Sequence, residues 1–267
     1  MKNNFEIIDF HVHVFPEEVA PKALNAMFYS NNMVPATDGT FDGLLKNMNK
    51  TGVDISIVQP VATKPEQVVS INNWAIEHKH DKIIFFGAIH ADFPNIQDEI
   101  DRIISLGFKG IKIQANWQST YINDKKMNAI YEACQDKLIV LFHMGEEIAP
   151  FDVMHATPKM LAEVMKNFPK LTIVAAHLGG YLMWDEAREY LYGRNIYIDS
   201  SACPPGQLAD EDYKDIILTH GTDKVLFATD SPMLDPTGEI NRLLSLGLSD
   251  SDLEKIFSGN AKRLLGL

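Results

Sequence analysis

The sequence predicts an α/β protein built as a (β/α)8 TIM barrel with a C-terminal helix. Two observations lead to this fold class. Eight short apolar segments alternate with longer segments of helical periodicity, and polar side chains recur where the apolar segments end. The sequence lacks a glycine-rich phosphate-binding loop, which would favour an open, doubly wound sheet. We therefore expect one domain over residues 1–267.

The predicted strands have the lengths and compositions of buried strands. In chain order they are EIIDFHV, ISIVQPV, IIFFGAI, GIKIQ, LIVLFH, TIVAAH, IYIDSS and VLFATD. Several of the helical segments between them begin with Pro, Asp or Asn and end in Gly or Lys, as helix capping and the helix dipole favour. Residues 16–50 form a longer connection, in which we expect a helix or two and part of a lid. Ser251 and Glu254 have capping-box spacing before an apolar stripe, which predicts the closing helix.

Composition excludes several classes of partner. The formal charge of −12 disfavours binding to nucleic acid or to an anionic membrane, and an apolar content of 46% is ample for a core. Cys134 and Cys203 are too few for a disulfide framework, which fits a reducing cytoplasm. The most apolar runs are far shorter than the roughly 20 residues that span a bilayer. We expect a cytoplasmic protein.

The first strand ends on two histidines. In IIDFHVHVFP, residues 7–16, strand alternation places Asp9, His11 and His13 on one face and apolar side chains on the other. Two imidazoles on one face are chelating metal ligands, a hydrogen-bonded structural pair or two unrelated residues at the end of a strand. The motif alone leaves these alternatives open.

Other predicted strands also end on ionisable side chains. The set comprises His11, His13, Lys112, His143, His177 and Asp230. Active sites of barrels lie at the carboxyl ends of the strands, so these groups are expected to converge there. Imidazole and carboxylate donors suit Zn²⁺, Mn²⁺, Fe²⁺, Ni²⁺ or Co²⁺, and the lack of suitable thiolates argues against a structural cysteine-bound zinc. Separate structural histidines and a capping aspartate are the alternative.

Five stretches stand at the predicted strand ends: IIDFHVHVFP, GFKGIKIQ, LFHMGE, IVAAHLGG and VLFATDSP. Together they resemble the amidohydrolase superfamily, and within it the amidohydrolase-related branch that includes aminocarboxymuconate-semialdehyde decarboxylase and related hydrolases and lactonases. The closing FSGNAKRLLGL is similar to the terminal helix of that family. The resemblance runs from near residue 5 to the end and implies a barrel of the metal-dependent hydrolase type.

The resemblance also implies roles for the residues at the strand ends. His11, His13, His143 and Asp230 would bind one divalent metal, with zinc expected, and His177 would act as an acid/base or substrate-polarising group. A second ion could be held by His143, His177 and a carbamylated Lys112.

Lys112 could alternatively pair with an anionic substrate, which we favour, or with an internal carboxylate. Gln114 departs from the KxH that often occupies this stretch in the branch. His90 has no clear counterpart there, and we expect it to be structural or to support the site.

These roles predict a metal-dependent hydrolase that uses an activated water on an amide, lactone or ester bond of a small anionic molecule. Asp230 would take the water proton and return it to the leaving group, while His177 holds the oxyanion. The alternative is a lyase that decarboxylates an unsaturated or aromatic acid without oxidation. A barrel without catalysis is a third class. We expect a small-molecule substrate, a homodimer, and no nucleic acid or membrane partner, and we expect Glu146 and Glu147 to lie in a solvated loop.

Overall fold

The computed structural model describes residues 5–28, 33–147, 151–204 and 206–267, so residues 29–32 of the first connection lie outside the described part. Nine strand segments occur in this part. They are β1 (Ile8–Val12), β2 (Ile55–Val58), β3 (Ile83–Phe85), β4 (Gly87–Ala88), β5 (Gly110–Ile113), β6 (Ile139–Phe142), β7 (Thr172–Ala175), β8 (Tyr197–Asp199) and β9 (Val225–Leu226). Each predicted strand is present, but IIFFGAI is interrupted at Phe86 and forms both β3 and β4.

Helices separate most of these strands. They are α1 (Ala20–Met27), α2 (Phe41–Thr51), α3 (Val68–Glu77), α4 (Ile96–Ser105), α5 (Asn128–Cys134), α6 (Pro158–Asn167), α7 (Trp184–Tyr190), α8 (Asp210–His220), α9 (Pro236–Ser245), α10 (Asp250–Glu254) and α11 (Asn260–Leu265). No helix of the described residues is both long enough and apolar enough to cross a membrane.

The chain divides into two compact units. Unit 1 comprises Met1–Val58 and Ile198–Leu267, and unit 2 comprises Gln59–Tyr197. The expectation of a single domain over residues 1–267 stays a prediction.

Unit 1 is built on parallel pairs of strands. β1 pairs with β2, with Ile8 opposite Ile55, and β8 pairs with β9. Beyond β9 the chain continues beside β1, because Phe10 N–H donates to the Phe227 carbonyl at 2.9 Å and Asp230 N–H donates to the His11 carbonyl at 2.8 Å. This pairing brings the end of the last strand to the end of the first.

The helices of unit 1 confirm two sequence predictions and correct a third. The first connection contains two helices, α1 and α2, and the C-terminal segment is helical through α10, a π-helical turn at Lys255–Gly259, and α11. The N-cap of α10 is Ser249, whose hydroxyl accepts a hydrogen bond from Asp252 N–H at 3.1 Å, and not Ser251 as the capping-box spacing suggests. The Asn260 side chain donates to the Val225 carbonyl at 2.7 Å and so attaches α11 to β9.

Unit 2 contains four consecutive parallel strands, β4, β5, β6 and β7. In the register of this sheet Lys112 lies opposite Ala88 on one side and Leu141 on the other. Aromatic packing supports the sheet from one side, since the ring of Tyr131 lies 5.9 Å from that of Phe142 and 5.2 Å from that of Phe168. The carboxyl ends of these strands therefore meet at one edge.

Candidate active site

Unit 1 brings together three of the predicted metal ligands, which we call the unit 1 cluster: His11, His13 and Asp230. His11 lies in β1, His13 follows it, and Asp230 lies four residues beyond β9. The Asp230 Oδ1 atom is 3.0 Å from His13 Nε2 and 3.5 Å from His11 Nε2. One ligand atom from each residue lies within 4.8 Å of the others. The three side chains thus converge on one point.

A second carboxylate orients His11. Asp199, at the end of β8, is fully buried and accepts a hydrogen bond from His11 Nδ1 at 3.0 Å. The Ser201 hydroxyl lies 3.2 Å from the same nitrogen and donates to Asp199. Since a carboxylate only accepts hydrogen bonds, Nδ1 carries the proton and Nε2 presents a lone pair. A carboxylate behind a ligating histidine fixes the ring and its tautomer in metal sites.

The unit 1 cluster fits a divalent cation. With the proton of His11 on Nδ1, its Nε2 lone pair faces the Asp230 carboxyl group at 3.5 Å, and a cation bound between these two electron-rich atoms would be attracted by both. Ligands about 2.0–2.1 Å from a tetrahedral ion lie roughly 3.3 Å from each other. The observed separations of 3.0 and 3.5 Å bracket this value. The donor set is therefore that of a nitrogen and oxygen metal site.

Asp9 supports the backbone of the cluster. Its carboxylate accepts hydrogen bonds from the Thr229 hydroxyl at 2.6 Å, from Thr229 N–H at 3.0 Å and from His11 N–H at 3.3 Å. Burial raises the pKa of Asp9 to about 7, although the Thr229 hydrogen bonds act in the opposite direction. Asp9 thus joins β1 to the residue before Asp230, and the carboxylate that bonds the His11 ring is Asp199.

Unit 2 holds a second group, the unit 2 cluster: His143, His177 and Glu147. His177 Nε2 and His143 Nδ1 are 2.9 Å apart. His143 Nε2 donates to the Glu146 carbonyl at 3.2 Å and lies 3.1 Å from the Glu147 carboxylate. Because Nε2 of His143 carries a proton, its Nδ1 accepts from His177 when both rings are neutral. The cluster is a chain of ionisable groups along which a proton can move.

Gly145 allows the loop of this cluster to form. It has a φ of +88°, and a Cβ atom there would overlap the backbone of Tyr181. Tyr181 N–H donates to the Met144 carbonyl at 2.8 Å, and Glu146 N–H donates to the Tyr181 carbonyl at 2.9 Å. The loop after β6 is therefore fixed against the segment that follows His177, and this contact places Glu147 beside His143. The expectation that Glu147 lies in a solvated loop is wrong, since its side chain is 8% exposed.

Two residues predicted to be catalytic have left-handed backbones. Asp230 has a φ of +61° and His177 has a φ of +60°. This conformation costs a non-glycine residue about 1 kcal/mol or more, and such strain is concentrated at functional sites. The geometry agrees with a functional role for both side chains.

Lys112 lies on β5 in unit 2 and is 1% exposed, and strand alternation places it on the same face as Gln114. Its role in substrate binding stays a prediction, as does the role of His143 as a fourth metal ligand. The contacts of Asp199 with His11 and of Glu147 with His143 were not predicted from the sequence. Asp199 lies within the segment IYIDSS and is the last residue of β8, so its position at a strand end is the signal that could have found it.

Comparison with known proteins shows which family the chain resembles. The model of a family described as amidohydrolase matches residues 8–267, which is nearly the whole chain.

Solved structures share the fold at low sequence identity. An uncharacterised TIM-barrel protein from Bordetella bronchiseptica is 19% identical, with a TM-score of 0.76 and coverage of 98% of this chain and 99% of that one. The 2,6-dihydroxybenzoate decarboxylase from Rhizobium is 17% identical, with a TM-score of 0.70 and coverage of 98% and 99%. The 5-carboxyvanillate decarboxylase from Novosphingobium aromaticivorans, solved with manganese and 4-hydroxy-3-methoxy-5-nitrobenzoic acid, is 17% identical, with a TM-score of 0.72 and coverage of 99% and 97%. The fold is the TIM barrel that the sequence predicts.

Proposed function

Since the chain belongs to the amidohydrolase family, we propose that it is a metal-dependent enzyme that decarboxylates an aromatic or unsaturated carboxylic acid without oxidation. The observation that carries the proposal is the unit 1 cluster, in which His11, His13 and Asp230 present three donor atoms within 4.8 Å of one another. The relatives named as decarboxylases support this reaction over hydrolysis.

The residues of the unit 1 cluster would bind a metal ion, and one of them would also transfer a proton. His11 and His13 would hold one divalent transition metal, zinc or manganese, together with Asp230. A metal held there supplies a Lewis acid for substrate oxygens and lowers the pKa of water towards neutrality. Asp230, the carboxylate of the cluster, would carry the proton that is transferred to the substrate.

Decarboxylation requires a proton at the carbon that bears the carboxylate. Asp230 would first take a proton from water and then deliver it to this carbon. The bond from that carbon to the carboxylate breaks, its electron pair returns to the conjugated system, and carbon dioxide leaves. The roles that the sequence predicts for His177, as an acid/base or substrate-polarising group, and for Lys112, as a group that binds an anionic substrate, stay predictions. Proton transfer by a positioned side chain contributes about 10²–10⁴-fold to the rate.

Hydrolysis of an amide, lactone or ester is the second candidate, because the family is described as amidohydrolase. In that reaction Asp230 takes the proton of the attacking water and returns it to the leaving group, as the sequence analysis predicts.

One experiment separates these reactions. The purified protein is loaded with Zn²⁺ or Mn²⁺, its metal content is measured by mass spectrometry, and it is incubated with a panel of aromatic and unsaturated acids and a panel of amides, lactones and esters. We expect about one ion per chain and release of carbon dioxide. In His13→Ala the metal is lost and the rate falls at least roughly 10²-fold. His80→Ala, at an exposed histidine, is the matched control.

The outcomes are distinct. Acid production from the second panel without carbon dioxide would assign hydrolysis. Failure to bind metal after reloading, with no difference between His13→Ala and the native protein, would refute both enzymatic proposals.

A further inference from the structure

The C-terminal helical segment of unit 1 contains a π-helical turn, Lys255–Gly259, between α10 and α11. Asn260 N–H donates to the Lys255 carbonyl, five residues earlier, whereas in an α-helix it would donate to the Ile256 carbonyl, four residues earlier. The wider turn thus leaves the Ile256 carbonyl open to a donor from outside the helix. Turns of this type are rare and are frequent at functional sites.

The donor to the Ile256 carbonyl comes from the chain just beyond β9. Phe227 N–H donates to it at 3.0 Å, and both residues are fully buried. The ring of Phe227 also lies 5.4 Å from that of Phe257, within the turn. A buried backbone N–H costs free energy when it lacks an acceptor, so the helix carbonyl provides here what a neighbouring strand provides elsewhere in a sheet.

Phe227 connects the turn to both segments that carry the ligands of the unit 1 cluster. Its carbonyl accepts from N–H of Phe10, the residue before His11, at 2.9 Å. Three residues after Phe227, Asp230 N–H donates to the His11 carbonyl at 2.8 Å. Backbone hydrogen bonds therefore run from the helix to the chain beyond β9 and on to β1. A displacement of Phe227 would change the separation of His11 and Asp230.

Two attachments hold the turn in place. Before it, the Asp252 carboxylate accepts from the Thr222 hydroxyl at 2.6 Å. After it, the Asn260 side chain donates to the Thr222 carbonyl at 2.8 Å and to the Val225 carbonyl at 2.7 Å. Both ends of the turn are thus attached to the same short stretch at the start of β9. The turn is therefore fixed along the strand that leads to Asp230.

We propose that the π-helical turn is a positioning element of the metal site, in which the Ile256 carbonyl fixes Phe227 and thereby the separation of His11 and Asp230. This role rests on the proposed function, because it requires that the unit 1 cluster binds a metal ion. Coupling between two sites is reciprocal, so a turn that favours metal binding is itself stabilised by bound metal. A contact that only stabilises the fold has no such local response to metal.

Amide hydrogen exchange tests this coupling without turnover. Exchange at Phe227 N–H is measured by NMR in the metal-free protein and after loading with Zn²⁺. We expect loading to slow this exchange roughly 3–10-fold more than it slows exchange at Phe168 N–H, which donates to the Val164 carbonyl at 2.8 Å in unit 2. Equal slowing at the two amides would overturn the inference.

Removal of the donor tests the same hydrogen bond directly. Phenyllactic acid in place of Phe227 exchanges the backbone N–H for an ester oxygen and keeps the side chain. The affinity for Zn²⁺, measured by chelator competition, should fall roughly 3–10-fold, which is the factor that one backbone hydrogen bond contributes. The same replacement of Phe168 removes a backbone hydrogen bond of unit 2 and should leave the affinity unchanged.

A deletion tests the width of the turn. Without Ser258 the segment is one residue shorter, an α-helical turn can form, and the Ile256 carbonyl returns to the helix. We expect the Zn²⁺ affinity to fall by at least the same factor as in the Phe227 ester. Native affinity in both variants would refute the positioning role alone, since the native protein still binds metal. If the native protein binds no Zn²⁺, the proposed function fails and this role fails with it.

Discussion

Each of the two clusters contains two histidines and a carboxylate, but the clusters differ in how these groups face one another. In the unit 1 cluster, the Asp230 carboxylate lies close to Nε2 of both His11 and His13, so the donors converge. In the unit 2 cluster, His143 uses one nitrogen towards His177 and the other towards Glu147, so the groups form a chain. Convergence suits a cation, whereas a chain suits proton movement. Two histidines and a carboxylate in a sequence do not by themselves distinguish these arrangements.

The first prediction tests the orienting carboxylate of the convergent cluster. Asp199→Asn keeps the shape but removes the charge behind His11, and its amide can present N–H to Nδ1. We expect metal affinity to fall about 10–100-fold, because the tautomer of His11 is no longer fixed. Chelator competition measures this change. Asp215→Asn, on the exposed surface of α8, is the control, and equal affinities in the two variants would contradict the orienting role.

The second prediction tests the chain in unit 2. Glu147→Gln removes the carboxylate beside His143, and we expect kcat to fall about tenfold with little change in KM, because the chain loses its acceptor for a proton. The solvent deuterium isotope effect on kcat should increase. Glu146→Gln, at an exposed neighbour, should change neither quantity. Identical isotope effects in both variants would remove the proton-relay interpretation.

The third prediction concerns the loop that shapes this chain. Gly145→Ala should lower the free energy of unfolding by about 2–4 kcal/mol, from the backbone conformation and from overlap with Tyr181. Gly107 has a φ of +87° and no atom within 4 Å of the position of a Cβ. Gly107→Ala therefore measures the backbone contribution alone, about 1 kcal/mol. Chemical denaturation measures the loss in free energy of unfolding for both variants, and the difference between the two losses is the contribution of the overlap with Tyr181. Equal losses would show that the Tyr181 contact does not constrain Gly145.

The fourth prediction concerns Glu239. Unlike the carboxylates of the two clusters, it is buried outside them, and one of its oxygens has no hydrogen-bond donor among the described residues. Burial raises the pKa of Glu239 to about 7, against the opposing effect of Arg242, and among the described residues nothing donates to its Oε2 atom. The folded protein therefore holds this proton more tightly than the unfolded chain does. Its contribution to stability is present below pH 4.5 and is lost as pH rises from 4.5 to about 7.

Glu239→Gln removes this dependence. Between pH 4 and pH 8, the free energy of unfolding of the native protein should fall by up to roughly 3 kcal/mol more than that of the variant. Urea denaturation at the two pH values measures the difference. Parallel pH profiles for the two proteins would show that Glu239 does not titrate between the folded and unfolded states.

The sequence was sufficient for the fold and for one of the two clusters. Alternation of strands and helices predicted the barrel, and period-2 alternation placed His11 and His13 on one face of β1. The N-cap at Ser249 and the break at Phe86 were missed, because both depend on competing local contacts. Glu147 was assigned to solvent because its contact with His143 depends on the path of the loop at Gly145, and Asp199 lies far from His11 in sequence. Contacts between distant segments have no periodic signal.

Unit 1 is built from two segments that lie far apart in the chain, and this affects the order in which the residues of its cluster are synthesised. His11 and His13 leave the ribosome long before Asp199 and Asp230, while every residue of the unit 2 cluster comes from one continuous stretch. Chains begin to fold from the N-terminal end during translation. The nascent protein therefore carries the two imidazoles without Asp199 and Asp230 while the intervening residues are synthesised, and the donor atoms of the unit 1 cluster come together only after Asp230 has emerged.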